Sequence, residues 1–179
     1  MSEFSPAFRR KLSPWRLIGW GVIAVLLSLP AILRFPWTAF DFILRGVLLG
    51  SVGLGIEFFV RRSGSTFARL GAAVAVIGAF LTIWVNLAVG MIGAQDNPYN
   101  LLFIGLLVAV ALGGFAVRLK SSAMVWLLSG AALLHGAIAL GGLSADPRGA
   151  PFAAFFAIFW LLGAALYRGA AVGEREATR

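Results

Sequence analysis

Three strongly polar side chains, Arg45, Asn86 and His135, stand inside otherwise apolar stretches of the sequence. If those stretches are helices, their depths follow from the rise of ~1.5 Å per residue. Arg45 then lies roughly 9 Å inside the start of its block, and Asn86 and His135 each roughly 10 Å before the end of theirs. With alternating helix directions, all three fall on one level. Asp41 precedes Arg45 by one turn and can pair with it, while Gln95, Asp96 and Asn97 cap the same side. One reading is a small polar cavity lined by Arg45, Asn86 and His135, able to hold an anion or a polar solute, with an imidazole that could change charge near neutral pH. The other is interhelical bonding. Asn86 and His135 then reach across to neighbouring helices, and Arg45 snorkels to the interface with Asp41. The second is preferred, because boundary errors of ~2–4 residues shift these depths by ~3–6 Å.

Other polar residues suggest structure more than chemistry. Glu57 precedes Arg61 by four positions, the spacing of an ion pair along one helix. The alternative is a proton-carrying carboxylate on a glycine-lined face. Asp96-Asn97-Pro98 is a turn in which Asp and Asn bond to their own backbone and Pro98 starts the next helix. No phosphate-binding glycine loop, nucleophile elbow or metal-ligand spacing is present. Ser129 and His135 are six residues apart and out of helical phase. The chain has no cysteine and a single histidine. That excludes disulfides, thiolate chemistry and histidine-cluster metal sites. The expectation is a protein that is not an enzyme and carries no cofactor.

The elements that must hold these residues follow from composition. Hydrophobic residues make up 60% of the 179 positions and charged residues 12%, against ~45–50% and ~25% in soluble domains. Mean hydropathy is +0.93. The net charge of +8 does not indicate nucleic acid, because the basic residues sit in short runs between apolar blocks, as membrane topology is written. Crossing a bilayer core takes about 20 apolar residues of helix. Six blocks approach that: 17–33, 39–60, 67–93, 101–117, 123–142 and 152–167. The third is long enough to tilt or to extend beyond the hydrocarbon. Each connection is short, so successive helices form antiparallel hairpins and no soluble domain is inserted. The expected fold is all-α, an integral membrane bundle of about six transmembrane helices. Residues 1–16 form an N-terminal segment, 17–168 a single membrane domain and 169–179 a tail.

Basic residues set the orientation. With the N-terminus inside, twelve of the fifteen fall on the inner side, leaving Arg34, Arg45 and Arg148 outside. Both termini are therefore expected in the cytoplasm. Arg9-Arg10-Lys11 could begin a signal peptide, but the following apolar stretch exceeds the usual ~7–15 residues, so a retained first crossing is expected. Trp15, Trp37 and Tyr99 fall near interfaces, whereas Trp84 and Trp160 read as packing residues.

Small residues mark the faces that should pack, since membrane helices associate through close backbone approach and a few polar bonds. Gly46, Gly50, Gly53 and Glu57 share a face of the second helix. Ala72, Ala75, Ala79, Thr82, Asn86 and Gly90 share one of the third, and Ala131, Ala132, His135, Ala139 and Gly142 one of the fifth. Helices two, three and five are thus expected at the packed centre.

The run from Trp84 to Leu102 contains Val85-Asn86-Leu87-Ala88-Val89-Gly90-Met91-Ile92-Gly93, then Asp96-Asn97-Pro98-Tyr99-Asn100-Leu101. It resembles a segment of small proteobacterial inner-membrane proteins with the pattern VNxAVGxIG followed by DNPxNL. The likeness covers about twenty residues well and the next two helices loosely. It departs from the pattern at Gln95, where an acidic residue is frequent. The resemblance implies a bacterial inner membrane and draws interest to Asn86, Asp96, Asn97 and Asn100, but carries no function with it. Three functions remain open. The favoured one is a non-catalytic accessory or structural membrane protein that binds a membrane-protein partner or forms a homo-oligomer. The second is a small transporter or channel using the Arg45, Asn86 and His135 level. The third is a lipid-binding or lipid-active protein whose basic inner loops meet anionic headgroups. Membrane lipids are the expected surroundings, and no nucleic acid is expected.

Overall fold

The computed structural model describes residues 14–179, with side chains from residue 16. Most of the expected N-terminal segment and the Trp15 side chain lie outside the described residues. Seven helices follow: α1 (Pro14–Ile32), α2 (Ala39–Arg62), α3 (Thr66–Ala88), α4 (Leu101–Ala116), α5 (Ser121–Gly141), α6 (Gly149–Phe155) and α7 (Ala157–Glu176). A single 3-10 turn, Pro98–Asn100, leads into α4. Among the described residues there is no strand, and the protein is an all-α helical bundle. Five segments are long and apolar enough to cross a membrane: α2, α3, α4 with its 3-10 turn, α5, and α6 with α7. Large apolar side chains face outward throughout, Trp126 being 80% and Leu133 76% exposed. Water could not stabilise such a surface, and lipid can.

The chain forms two compact units, dividing within α2 at Gly53. In the first, α1 and the start of α2 form a hairpin in which Gly53 faces Trp20 and Ile23, and Gly46 faces Leu27. Thr38 opens α2 with a capping box. The Asp41 carboxylate accepts from the Thr38 backbone N–H at 2.7 Å and from its hydroxyl at 2.8 Å.

The second unit is built on α7, which packs extensively against both α3 and α5. The sequence expectation named helices two, three and five as the centre and left out the last helix. The correction has a local cause. Gly163 in α7 stands opposite Gly71 in α3, close enough that a Cβ built on Gly71 would lie 3.1 Å from the Gly163 carbonyl oxygen. Gly78 likewise admits Phe159 of α7. Two clusters fill the interior. Leu106, Met124, Leu128, Trp160 and Tyr167 belong to one, and Met91, Ile92, Phe103, Ala139 and Phe156 to the other.

Two further boundaries differ from expectation. The third helix was expected through Gly93 but stops at Ala88, because Gly90 takes a φ of +84°. That left-handed conformation cannot continue a right-handed helix, and a Cβ built on Gly90 would lie 2.7 Å from the Ala94 carbonyl oxygen. Gly90 therefore leaves the helix face it was expected to share. The sixth block, expected at 152–167, is the broken pair α6 and α7 and continues to Glu176. The expected tail is thus largely helical.

α4 ends in a Schellman motif. The Leu119 N–H donates to the Gly114 carbonyl at 3.0 Å and the Arg118 N–H to the Phe115 carbonyl at 2.9 Å. Glycine usually takes the left-handed position of this motif. Here Arg118 and Leu119 adopt φ values of 53° and 56°, costing about 1–2 kcal/mol each.

Candidate functional site

Residues 89–97, which follow α3, form a folded loop held by asparagine. Met91 and Ile92 are buried, so their backbone groups must find partners inside the protein. Asn100, itself buried, supplies them. Its Oδ1 accepts from Ile92 N–H at 2.9 Å and Met91 N–H at 3.2 Å, and its Nδ2 donates to the Ala94 carbonyl at 3.0 Å. Asn86, near the end of α3, donates from Nδ2 to the Asn100 carbonyl at 3.2 Å. Asn97 donates to the Ile92 carbonyl at 3.0 Å and accepts from Tyr99 N–H at 3.0 Å, capping the 3-10 turn. The Tyr99 hydroxyl donates to the Ile138 carbonyl of α5 at 2.7 Å.

Asp146, in the connection between α5 and α6, ties this loop to its neighbour. Its Oδ2 accepts from Gly93 N–H at 2.8 Å, and its Oδ1 from Gly149 N–H at 2.8 Å and Arg148 N–H at 3.2 Å. These bonds, Gly149's and then Gly93's foremost, hold its pKa below the ordinary carboxylate value.

His135 of α5 lies deeper and is wholly buried. Its Nδ1 accepts from the Trp160 indole N–H at 3.1 Å, and its Nε2 lies 3.1 Å from the Ala153 carbonyl. Nδ1 must accept, so Nε2 carries the proton and donates to Ala153. The Phe103 ring stands 5.1 Å from the imidazole. This histidine meets the broken crossing beside the α6–α7 break at Phe156, where a side chain has entered the backbone ladder.

The structure therefore places Asn86 and His135 in different bonding groups, the first with Asn100 and the second with Trp160 and Ala153. Arg45 belongs to the other unit, where its guanidinium lies 4.9 Å from the Trp37 ring centroid, and Asp41 caps α2 beside Thr38. Asp96 is exposed in the 89–97 loop, and Asn97 is part of its framework. Arg61 donates to the Glu57 carboxylate along one face of α2. Sequence reasoning did not assign Tyr99, Asp146 and Trp160 to this network. Asn100 drew notice only through the resemblance. The one available signal was that several residues able to bond backbone groups flank Gly90 and Gly93. Among the described residues, no three His, Asp or Glu side chains gather where a metal could sit. The chain matches no protein-family model, no curated protein and no solved structure.

Proposed function

We propose that the protein is a non-catalytic component of a bacterial inner membrane. It crosses six times with both termini cytoplasmic and acts by binding a membrane-protein partner or a second copy. The basic residues gathered between alternate apolar blocks support the orientation. The likeness of 84–102 to small proteobacterial membrane proteins supports the setting. One observation carries the choice of a binding role over transport. His135, the side chain best suited to a solute site, is wholly buried with both ring nitrogens engaged inside the protein. A transport site needs polar groups turned towards solute, and here Asn86 is engaged in the same internal way.

The chain has no cysteine, so single cysteines can be introduced without background. Variants at Ser63, Asn86, Asp96 and His135 are treated in intact spheroplasts with a membrane-impermeant maleimide. Asp96→Cys is expected to react, and Ser63→Cys to react only after lysis. Asn86→Cys and His135→Cys are expected to stay unlabelled. Labelling of both from outside would replace this reading with a solute site in the outer half of the membrane. A reversed pattern at Asp96 and Ser63 would overturn the orientation.

A further inference from the structure

Two cavities of the second unit lie on either side of Leu119. The first is an open groove of about 410 Å³ whose walls are almost wholly apolar, among them Phe58, Val76, Val110, Phe115 and Trp160. The second, also about 410 Å³, is polar and lined by Arg62, Ser63, Arg118, Lys120, Ser122 and Glu174. Leu119 lines both. Three cations face one carboxylate in the polar cavity, and Glu174 is engaged by the Ser121 hydroxyl at 2.5 Å. The cavity is therefore net positive. Its basic wall comes from the last residue of α2 and from the strained connection between α4 and α5. Arg118 and Leu119 hold left-handed backbone there although glycine would do so freely. Strain of this kind clusters at ligand clamps and other functional sites.

We propose that the two cavities form one binding site for an anionic glycerophospholipid. An acyl chain lies in the groove, and the phosphodiester sits among Arg62, Arg118 and Lys120. Charge and adjacency select this occupant. A zwitterionic lipid offers the same phosphodiester but brings a quaternary ammonium into a cavity that is already net positive, and a soluble phosphate would leave the groove unused. A basic pocket between helix ends suits an anionic headgroup. The hydroxyls of Ser63 and Ser122 can donate to the remaining headgroup oxygens. The site stands independently of the partner-binding role proposed above.

The test is native mass spectrometry of the purified full chain, titrated with phosphatidylglycerol and with phosphatidylcholine of the same acyl composition. Phosphatidylglycerol is expected to bind preferentially. Arg118→Gln combined with Lys120→Gln is expected to lower its affinity roughly 30-fold and to narrow its preference over phosphatidylcholine. Arg175→Gln, a basic residue outside the cavity, is expected to have no effect. Ala111→Phe, which fills the groove from an exposed position, is expected to weaken both lipids while thermal unfolding confirms that the variant folds. Any of four results would overturn the proposal. These are equal affinity for the two lipids, an equal loss in Arg175→Gln, displacement by inorganic phosphate at the lipid's own concentration, and a copurifying polypeptide that occupies the groove.

Discussion

Asn100 commits its side-chain amide to three backbone groups of a buried loop, while its own carbonyl receives Asn86. Unpaired buried groups cost about 1–3 kcal/mol each, whereas a made bond inside a membrane protein contributes only ~0.6 kcal/mol on average. The asymmetry makes Asn100 expensive to remove. Asn100→Ala is expected to destabilise the protein by about 3 kcal/mol or more, and to speed deuterium exchange at Met91 and Ile92. Asn100→Asp keeps the acceptor for both amides and loses the donor to Ala94, so the expected loss is about 1–2 kcal/mol. Thermal unfolding in detergent measures both. Equal losses in the two variants would show that Oδ1 is not what holds the loop.

At the scale of helices, contact distance decides which faces meet. A Cβ built on Gly78 would lie 2.5 Å from the Phe159 Cβ, while one on Gly130 would meet nothing within 4 Å. Gly78→Ala is therefore expected to push α3 from α7 at a cost of about 1–3 kcal/mol. Gly130→Ala is expected to be neutral or to stabilise by about 0.5–1 kcal/mol through helix propensity. The same unfolding assay separates them, and equal effects would contradict the α3–α7 packing. These contacts also explain what could be read in the sequence. The apolar blocks were legible because lipid demands long uninterrupted runs, and five of them form helical segments long and apolar enough to cross a membrane. The end of α3 was not legible, since Val89, Met91 and Ile92 continue the apolar run and only Gly90 and the distant Asn100 end the helix. α7 was passed over for the centre because its glycine, Gly163, matters only through its alignment with Gly71, which no single-helix pattern contains. Its extension to Glu176 escaped because charge at Arg168 and beyond marks the edge of lipid, and a helix can continue past that edge.

Across the molecule, polar residues are few, and several of those in the second unit join elements. Asn86 and Asn100 join α3 to the start of α4, Tyr99 reaches α5, Asp146 ties two loops, and His135 joins α5 to α6 and α7. The sequence placed Asn86 and His135 on one level. It could not show that they would face different partners, because their neighbours come from helices whose order in space it does not record. Asn86, Asn100 and His135 are the buried members, and His135 tests most directly whether they form a dry internal framework. It is the only histidine in the chain, so uniform ¹⁵N-histidine labelling gives one imidazole spectrum. In protein reconstituted into bilayers, the account predicts a neutral ring protonated at Nε2, with Nδ1 accepting from Trp160. It predicts an Nε2–H that persists for hours in D₂O. An Nδ1-protonated ring would contradict the bond from Trp160, and complete exchange within minutes would place water at His135; either result would contradict the framework.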